Sequence, residues 1–456
     1  MMPLFLCVLI VLVQSLEFNA MLPLDIISTS GFTNKKQLVS DLKKLKEAGT
    51  DGVMGDIWWG LVEQSDRIYT WKYYLELAEA IQQAGLHWQP VLSFHACGGN
   101  VGDSVNIPLP NWVLVAGKSK GIFFKGFPSN KIDVEYISFG ADDVNVVGDR
   151  TPIMMYGDFY KSFKENFNKY FENGLINEIQ IGMGPSGELR YPGYVADSSD
   201  KTYGWVYPGI GEFHVSDNYT LDLLKAAAKA AGHEEWGRVP TNPGNPNDKP
   251  TQEGIFFNSA STENFGTDYG KFYLKFIAQL LLDHGDRVLS VARQNLGSSV
   301  PFASKISGIH WWFMHASRAA ESTSGYVMNN EFDFYTKAAQ MFKMYGSRFT
   351  FTCFEMSDSQ SALDDAGSAP EKLVKEVYDK ASPLTEFRAE NALALYWPKE
   401  GTEANWLSET EFSKVEDNLA KYTVDGFTFL RYTSDLVTFP EFFARYTKLI
   451  QNAHNQ

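Results

Sequence analysis

Apolar runs of strand length alternate with stretches of helical periodicity along nearly the whole chain, and that alternation limits the folds open to it. Leu22–Ile27 reads as strand one. Leu38, Leu42 and Leu45 then repeat at helical spacing, and Gly49 closes that helix. A second strand over 51–59 precedes a helix face of Tyr73, Leu77, Ile81 and Ala84, which Gly85 stops, and a third runs over 87–95. This β-α-β-α-β opening marks a parallel sheet with helical crossovers. Phe159, Phe163, Phe167 and Tyr170 mark the helix before strand four, at 178–181. A long helix over 268–296 leads to strand five, 305–311, followed by strands six, seven and eight at 348–354, 387–393 and 426–432. Ser408 with Glu411 reads as a capping box before the last of these. Eight strands with helices between them predict the α/β class and one (β/α)8 TIM barrel over residues 21–456. Excursions at 98–155, 185–262 and 312–330 follow strands three, four and five. All three lie at the C-terminal mouth and build one side of a deep pocket.

A chain of 456 residues, 44% of them hydrophobic, supplies ample core for such a barrel. Its net charge of −15, with no basic run, argues against nucleic acid and anionic membrane as partners. A neutral polymer is compatible with that charge, and the 11 Trp and 22 Tyr include faces on which sugar rings stack, although most will be core.

Residues 3–13 form one apolar run, too short for a membrane-spanning helix of ~20 residues. The run has the length of a signal-peptide core, with cleavage within 15–20, so residues 1–20 are expected to be a leader. The chain is then secreted or enters a vesicular or lysosomal lumen. A misassigned start or a buried N-terminal strand are the other readings of the run. Asn218-Tyr219-Thr220 is a glycosylation sequon that matters only on export. Cys7 lies in the run, which leaves Cys97 and Cys353; two cysteines make no disulfide framework, and both are predicted free. No zinc-type spacing occurs.

The stretch 182–194 carries the first chemical signal. Three glycines and Pro185 break strand four, and Glu188 follows, with Arg190, Tyr191 and Tyr194 behind it. A carboxylate at the C-terminal end of a barrel strand is where such an enzyme places a catalytic acid. Taken alone, the fragment reads more simply as a loop Glu paired with Arg190.

Other stretches carry the reading further. They are Asp51–Gly60, Phe94–Asp103 with Ile107-Pro108-Leu109-Pro110, Ile306–Trp312, Thr350–Met356, Ala389–Leu393 and Gly426–Arg431. With 182–194 they make seven ordered motifs across residues 22–450 that together resemble the β-amylases closely. The resemblance implies an inverting, exo-acting hydrolase that needs no cofactor. It would cut α-1,4-glucans from their non-reducing ends and release β-maltose. Glu188 is then the acid on the leaving oxygen and Glu390 the base facing the anomeric carbon. Glu188 would need its pKa raised by burial or like charge, and Glu390 would have to stay ionised. Inversion implies a gap of ~6.5–9.5 Å between the two carboxyls, with a water between.

The resemblance also assigns Asp56, His95 and Asp103 to the innermost glucose and Lys305, His310 and Trp311 to sugars past the cleavage point. Thr352 would orient the water or the acid, Asn391 would position sugar or water, and Ala392 and Arg431 would make further sugar contacts. Simpler readings stay open for some of these: Asp56 as a helix cap, His95 and Trp311 as core, Arg431 as the partner of a mouth carboxylate. The glycine-rich Gly98–Asp103 is either a lid or a static turn. Glu63, Asp66 and Asp158 fall near a calcium site of some bacterial relatives. A shortened loop and Met155 in place of a carboxylate make a metal there unexpected. The chain ends just after the barrel, which predicts no appended starch-binding domain. The competing functional reading is a catalytically silent member that only binds glucan.

Overall fold

The computed structural model describes residues 16–455 apart from 101–102, 198, 362–364 and 399–404, so the apolar run at 3–13 lies outside the described residues. Eight parallel strands close into a barrel in chain order: β1 Glu17–Met21, β2 Gly52–Trp58, β3 His87–Ser93, β4 Ile179–Ile181, β5 Phe302–Ile306, β6 Ser347–Phe351, β7 Phe387–Glu390 and β8 Gly426–Phe429. The side chains alternate as a barrel requires. Phe18 and Ala20 of β1, Val53 and Ile57 of β2, and Trp88 and Leu92 of β3 point outward. They join one buried apolar layer with the Leu38, Leu42 and Leu45 face of the first helix. Met21, Met54 and Val91 point inward and pack together with Leu430.

Strand one is not where the sequence placed it. Glu17 pairs with Gly426 of β8 and Asn19 with Gly52 of β2, so β1 precedes Leu22–Ile27. Pro23 has no N–H to continue a ladder. The chain leaves the barrel after the Leu22 amide donates to the Met54 carbonyl at 2.7 Å. The polar Glu17 and Asn19 concealed the strand because the floor of this barrel is charged. Arg388 donates to Glu17 at 3.0 Å and to Glu178 at 3.2 Å. Burial works against the Glu17 carboxylate, yet hydrogen bonds from His87 and Asn177 and the Arg388 guanidinium hold it at about 2. The division at residue 20 therefore cut through a barrel strand, and the barrel begins by Glu17.

Strand five also shifts, ending at Ile306 rather than 311. A Cβ on Gly308 would sit 2.5 Å from Cys353 Sγ, so only glycine admits this close approach of the loops after β5 and β6. His310 and Trp311 consequently stand on the mouth loop. Strands six to eight likewise end at Phe351, Glu390 and Phe429, where their chains turn into the mouth.

The helices follow their sequence signals. Lys35–Glu47 is closed near Gly49 at φ +100°, Lys72–Ala84 ends on Gly85 at φ +72°, and Asp268–Leu296 matches its expected span. Among the described residues no helix is long and apolar enough to cross a membrane. The capping box is only half made. Ser408 Oγ accepts from the Glu411 amide at 3.4 Å, but Ser408 N–H donates to Leu395 O and the Glu411 side chain lines the mouth cavity.

Candidate active site

The loops after the strands enclose a cavity of about 690 Å³ at the C-terminal mouth. Every predicted site residue except Asn391 lines it, which brings together side chains from β2 to β8.

The turn that bears Glu188 is tightly built. The backbone folds so closely at Gly184 that a Cβ there would lie 2.5 Å from the Glu188 carbonyl oxygen. Ser186 and Gly187 both take left-handed φ, +54° and +73°. This reversal turns Glu188 back over the end of β4. Glu188 lines the cavity and also pairs with Arg190, as its sequence neighbourhood suggested, with Arg190 Nε donating to Oε2 at 2.7 Å. Arg190 is itself fixed by the Tyr191 and Pro192 carbonyls at 3.1 and 2.8 Å and lies over the Tyr194 ring, 4.4 Å from its centroid. A guanidinium so completely held cannot follow Glu188 if that side chain moves, so it defines the position of Oε2.

Glu390 ends β7 and is buried. Lys305 on β5 reaches across the barrel and donates from Nζ to Oε1 at 2.6 Å. Burial pushes the Glu390 carboxyl above its ordinary range; the Lys305 ammonium pulls it back down and the Glu188 charge adds to the rise. Oε2 of Glu390 has no hydrogen-bond partner among the described residues, which leaves it as a free acceptor.

On the β2 and β3 side, Ser93 Oγ of β3 donates to Asp56 Oδ1 of β2 at 2.8 Å, a contact between neighbouring strands that aims Asp56 into the cavity rather than at a helix terminus. His95 packs edge-on against Trp58, ring centroids 5.0 Å apart, and burial holds its pKa at about 4, so it is a neutral ring. Oδ2 of Asp103 accepts the amides of Gly98, Gly99 and Asn100 at 2.7, 3.1 and 3.0 Å. Part of that loop, 101–102, lies outside the described residues.

The opposite wall is aromatic. Trp311 packs against Tyr194, Trp205 and Tyr207 with centroids 5.3, 5.3 and 5.8 Å away, and its Nε1 donates to Gly209 O at 2.9 Å. Trp311 is therefore largely buried and a wall of the cavity at once. Arg431 Nη1 donates to the Leu22 carbonyl at 2.7 Å, so this bond goes to the backbone instead of a mouth carboxylate. Thr352 Oγ1 accepts from Gly308 N–H at 2.7 Å. Ala392 presents its backbone to the buried Glu355, which accepts that amide at 3.0 Å and which burial pushes up to about 7.

Asn391 is the correction. Its Nδ2 donates to the Leu393 carbonyl at 2.8 Å and to the Leu430 carbonyl, and its Oδ1 accepts from Leu430 N–H at 2.8 Å. Both ends of the amide are spent on tying β7 to β8, and the residue does not line the cavity. Sequence reading missed Asn100, Glu135, Trp205 and Tyr207. The cluster Trp205-Val206-Tyr207-Pro208, in an excursion already expected at the mouth, was the signal for the last two.

Glu63, Asp66 and Asp158 do converge, but on a guanidinium. Arg150 donates to Glu63 at 3.1 Å, to Asp66, and to Asp158 at 3.0 Å, while lying over the Trp112 ring at 5.2 Å. Burial pushes Glu63 up despite this neighbour. Replacing Arg150 by Ala leaves the buried Glu63 carboxylate without its cation, and the expected cost is about 3–5 kcal/mol, read as a lowered denaturation midpoint. Cys97 and Cys353 are both buried free thiols, as expected.

Residues 19–452 match the family described as glycosyl hydrolase family 14. The chain is 39% identical over 432 residues to Beta-amylase Tri a 17 of Triticum aestivum, a match covering 93% of this chain and 83% of that protein. It is 40% identical over 423 residues to a β-amylase of Vigna unguiculata, covering 91% and 83%. Among solved structures, the catalytic domain of a β-amylase from Paenibacillus polymyxa aligns with a TM-score of 0.76 at 30% identity, over 96% of this chain and 99% of that one.

Proposed function

The chain belongs to glycosyl hydrolase family 14, and on that premise we propose how its cavity carries out the β-amylase reaction. The reaction is hydrolysis of α-1,4-glucosidic bonds from the non-reducing ends of starch- or glycogen-type glucans, releasing β-maltose with inversion. One observation supports the division of labour: two carboxylates, at the ends of β4 and β7, line one cavity, each with a cation on one oxygen. Glu188 gives its proton to the glycosidic oxygen as the bond to the anomeric carbon breaks. Glu390 takes a proton from the water whose oxygen bonds to that carbon from the opposite face. Arg190, fixed on Oε2, leaves Oε1 of Glu188 to carry the proton and then stabilises the carboxylate that forms. Lys305 on Oε1 of Glu390 leaves Oε2 to accept from the water.

Asp56, the neutral His95 and Asp103 line the part of the cavity suited to the terminal glucose. An Asp accepts from two sugar hydroxyls, and a neutral imidazole both donates and accepts. Trp311, Tyr207 and His310 form the wall along which the remaining chain leaves. Chromatography of products after brief digestion of soluble starch is expected to give maltose alone; a ladder of sizes from the outset would overturn the exo-acting reading.

Export of the chain is proposed from the apolar run at 3–13. Because Glu17 pairs with Gly426 and with Arg388, any cleavage must leave β1 whole. N-terminal sequencing of the exported chain is expected to place its first residue no later than Glu17. A mature chain starting at residue 18 or beyond would contradict this.

A further inference from the structure

Glu135 is a buried carboxylate beside the cavity to which the reaction scheme gives no task. It lies on the strand Ile132–Ile137 of a hairpin in the excursion after β3, and is only 8% exposed. Its Oε1 accepts two hydrogen bonds from two different mouth loops. One comes from the backbone N–H of Ser186 at 2.8 Å, the other from Asn100 Nδ2 at 2.6 Å. Ser186 is the left-handed residue of the turn that delivers Glu188. Asn100 turns its other end to Arg190, whose Nη2 donates to Asn100 Oδ1 at 3.0 Å and to Ser186 Oγ at 3.1 Å. The Glu135 carbonyl also accepts from Ala96 N–H at 2.7 Å, near the root of the Asn100 loop. These bonds close a ring through Glu135, Asn100, Arg190 and Ser186, and Glu188 hangs from it by the Arg190 bond.

We propose that Glu135 is a positioning residue that ties the loop bearing Asn100 to the turn bearing Glu188, and so fixes where the acid stands against the glycosidic oxygen. The proposal rests on the reading of Glu188 as the acid. Ser186 supplies the physical reason for such a tie. A non-glycine residue at φ +54° persists only where the surroundings hold it, and the Glu135 carboxylate takes the amide that this conformation presents. Burial, then Asp133 beside it, push the Glu135 carboxyl up to about 8 against the pull of Arg190. A neutral side chain of the same shape therefore suits the position, provided that it keeps an acceptor oxygen where Oε1 stands.

The test compares two substrates. Starch needs its leaving oxygen protonated, whereas α-maltosyl fluoride loses fluoride with far less demand for an acid. Glu135→Ala is expected to lower kcat on starch on the order of 100-fold, the penalty of a misplaced reacting group, with KM little changed. Turnover of the fluoride should fall much less. Glu135→Gln keeps an acceptor for both donors and should restore starch turnover. Asn100→Ala should reproduce part of the loss and add little in the Glu135→Ala background. Glu188→Gln serves as the reference, because removal of the acid itself must also spare the fluoride. If Glu188→Gln loses both substrates equally, the acid assignment fails. If it spares the fluoride while Glu135→Ala loses both equally, the positioning role alone fails. Should Glu135→Ala not fold, an unchanged kcat on starch for Asn100→Ala, or a Glu135→Gln chain that folds yet loses both substrates equally, overturns the proposal.

Discussion

Glu188→Gln and Glu390→Gln are each expected to remove turnover of starch, by about 100- to 10,000-fold, while leaving the fold intact. Both side chains are isosteric with the native ones, and the neighbouring cations keep an acceptor. Arg190 retains the Tyr191 and Pro192 carbonyls and Ser186 Oγ whatever stands at 188. Lys305 can still donate to an amide oxygen at 390. The melting temperature should therefore move little in the first variant and somewhat more in the second, where a buried ammonium loses its counter-charge. The two losses differ in kind. A Gln at 188 cannot deliver a proton to the leaving oxygen, whereas a Gln at 390 cannot take one from water. Near-native turnover of starch in either purified variant would remove that residue from the scheme.

The two carboxylates proposed as the catalytic pair were legible because they lie in motifs that follow strands whose alternation with helices was itself readable. Glu188 follows a glycine-rich break and Glu390 stands in the motif Ala389–Leu393, and the barrel places both at one mouth. Strand β1 was not legible, for a physical reason. Its inward side chains, Glu17 among them, meet a charged barrel floor formed with Arg388 and Glu178, so the strand shows no apolar run of its own. Its apolar successor, Leu22–Ile27, drew the assignment instead. Asn391 shows a different limit. Adjacency to the base suggested sugar contact, but one residue along a chain leaving a strand is enough to turn a side chain away, and this amide spends itself on Leu393 and Leu430. Glu135 marks a third. Its partners Asn100 and Ser186 are 35 and 51 residues away in sequence, and no spacing rule links a hairpin in one excursion to a turn in another.

Removal of the Lys305 charge is expected to move the pH profile of the enzyme rather than simply to weaken it. Glu390 must be ionised to accept the proton from water, so activity is lost as pH falls through its pKa. Burial already pushes that pKa up, and the Lys305 ammonium, 2.6 Å from Oε1, is the principal force in the other direction. Lys305→Met keeps the length of the side chain and removes the charge. The base then holds its proton to higher pH, and the acid limb of kcat/KM should move upward by about 1–3 units, the usual effect of one adjacent opposite charge. At a pH below the shifted limb the loss is about 10- to 1,000-fold by the same shift. Above it, most of the activity should return, less whatever Lys305 contributes to holding the sugar. That contribution appears in KM and does not depend on the ionisation of Glu390. Lys305→Arg, which retains a cation, should leave the limb closer to its native place. An acid limb that stays put in Lys305→Met, with activity lowered evenly at every pH, would show that Lys305 acts on the substrate and not on the base, and the pairing with Glu390 would then carry no part of the chemistry.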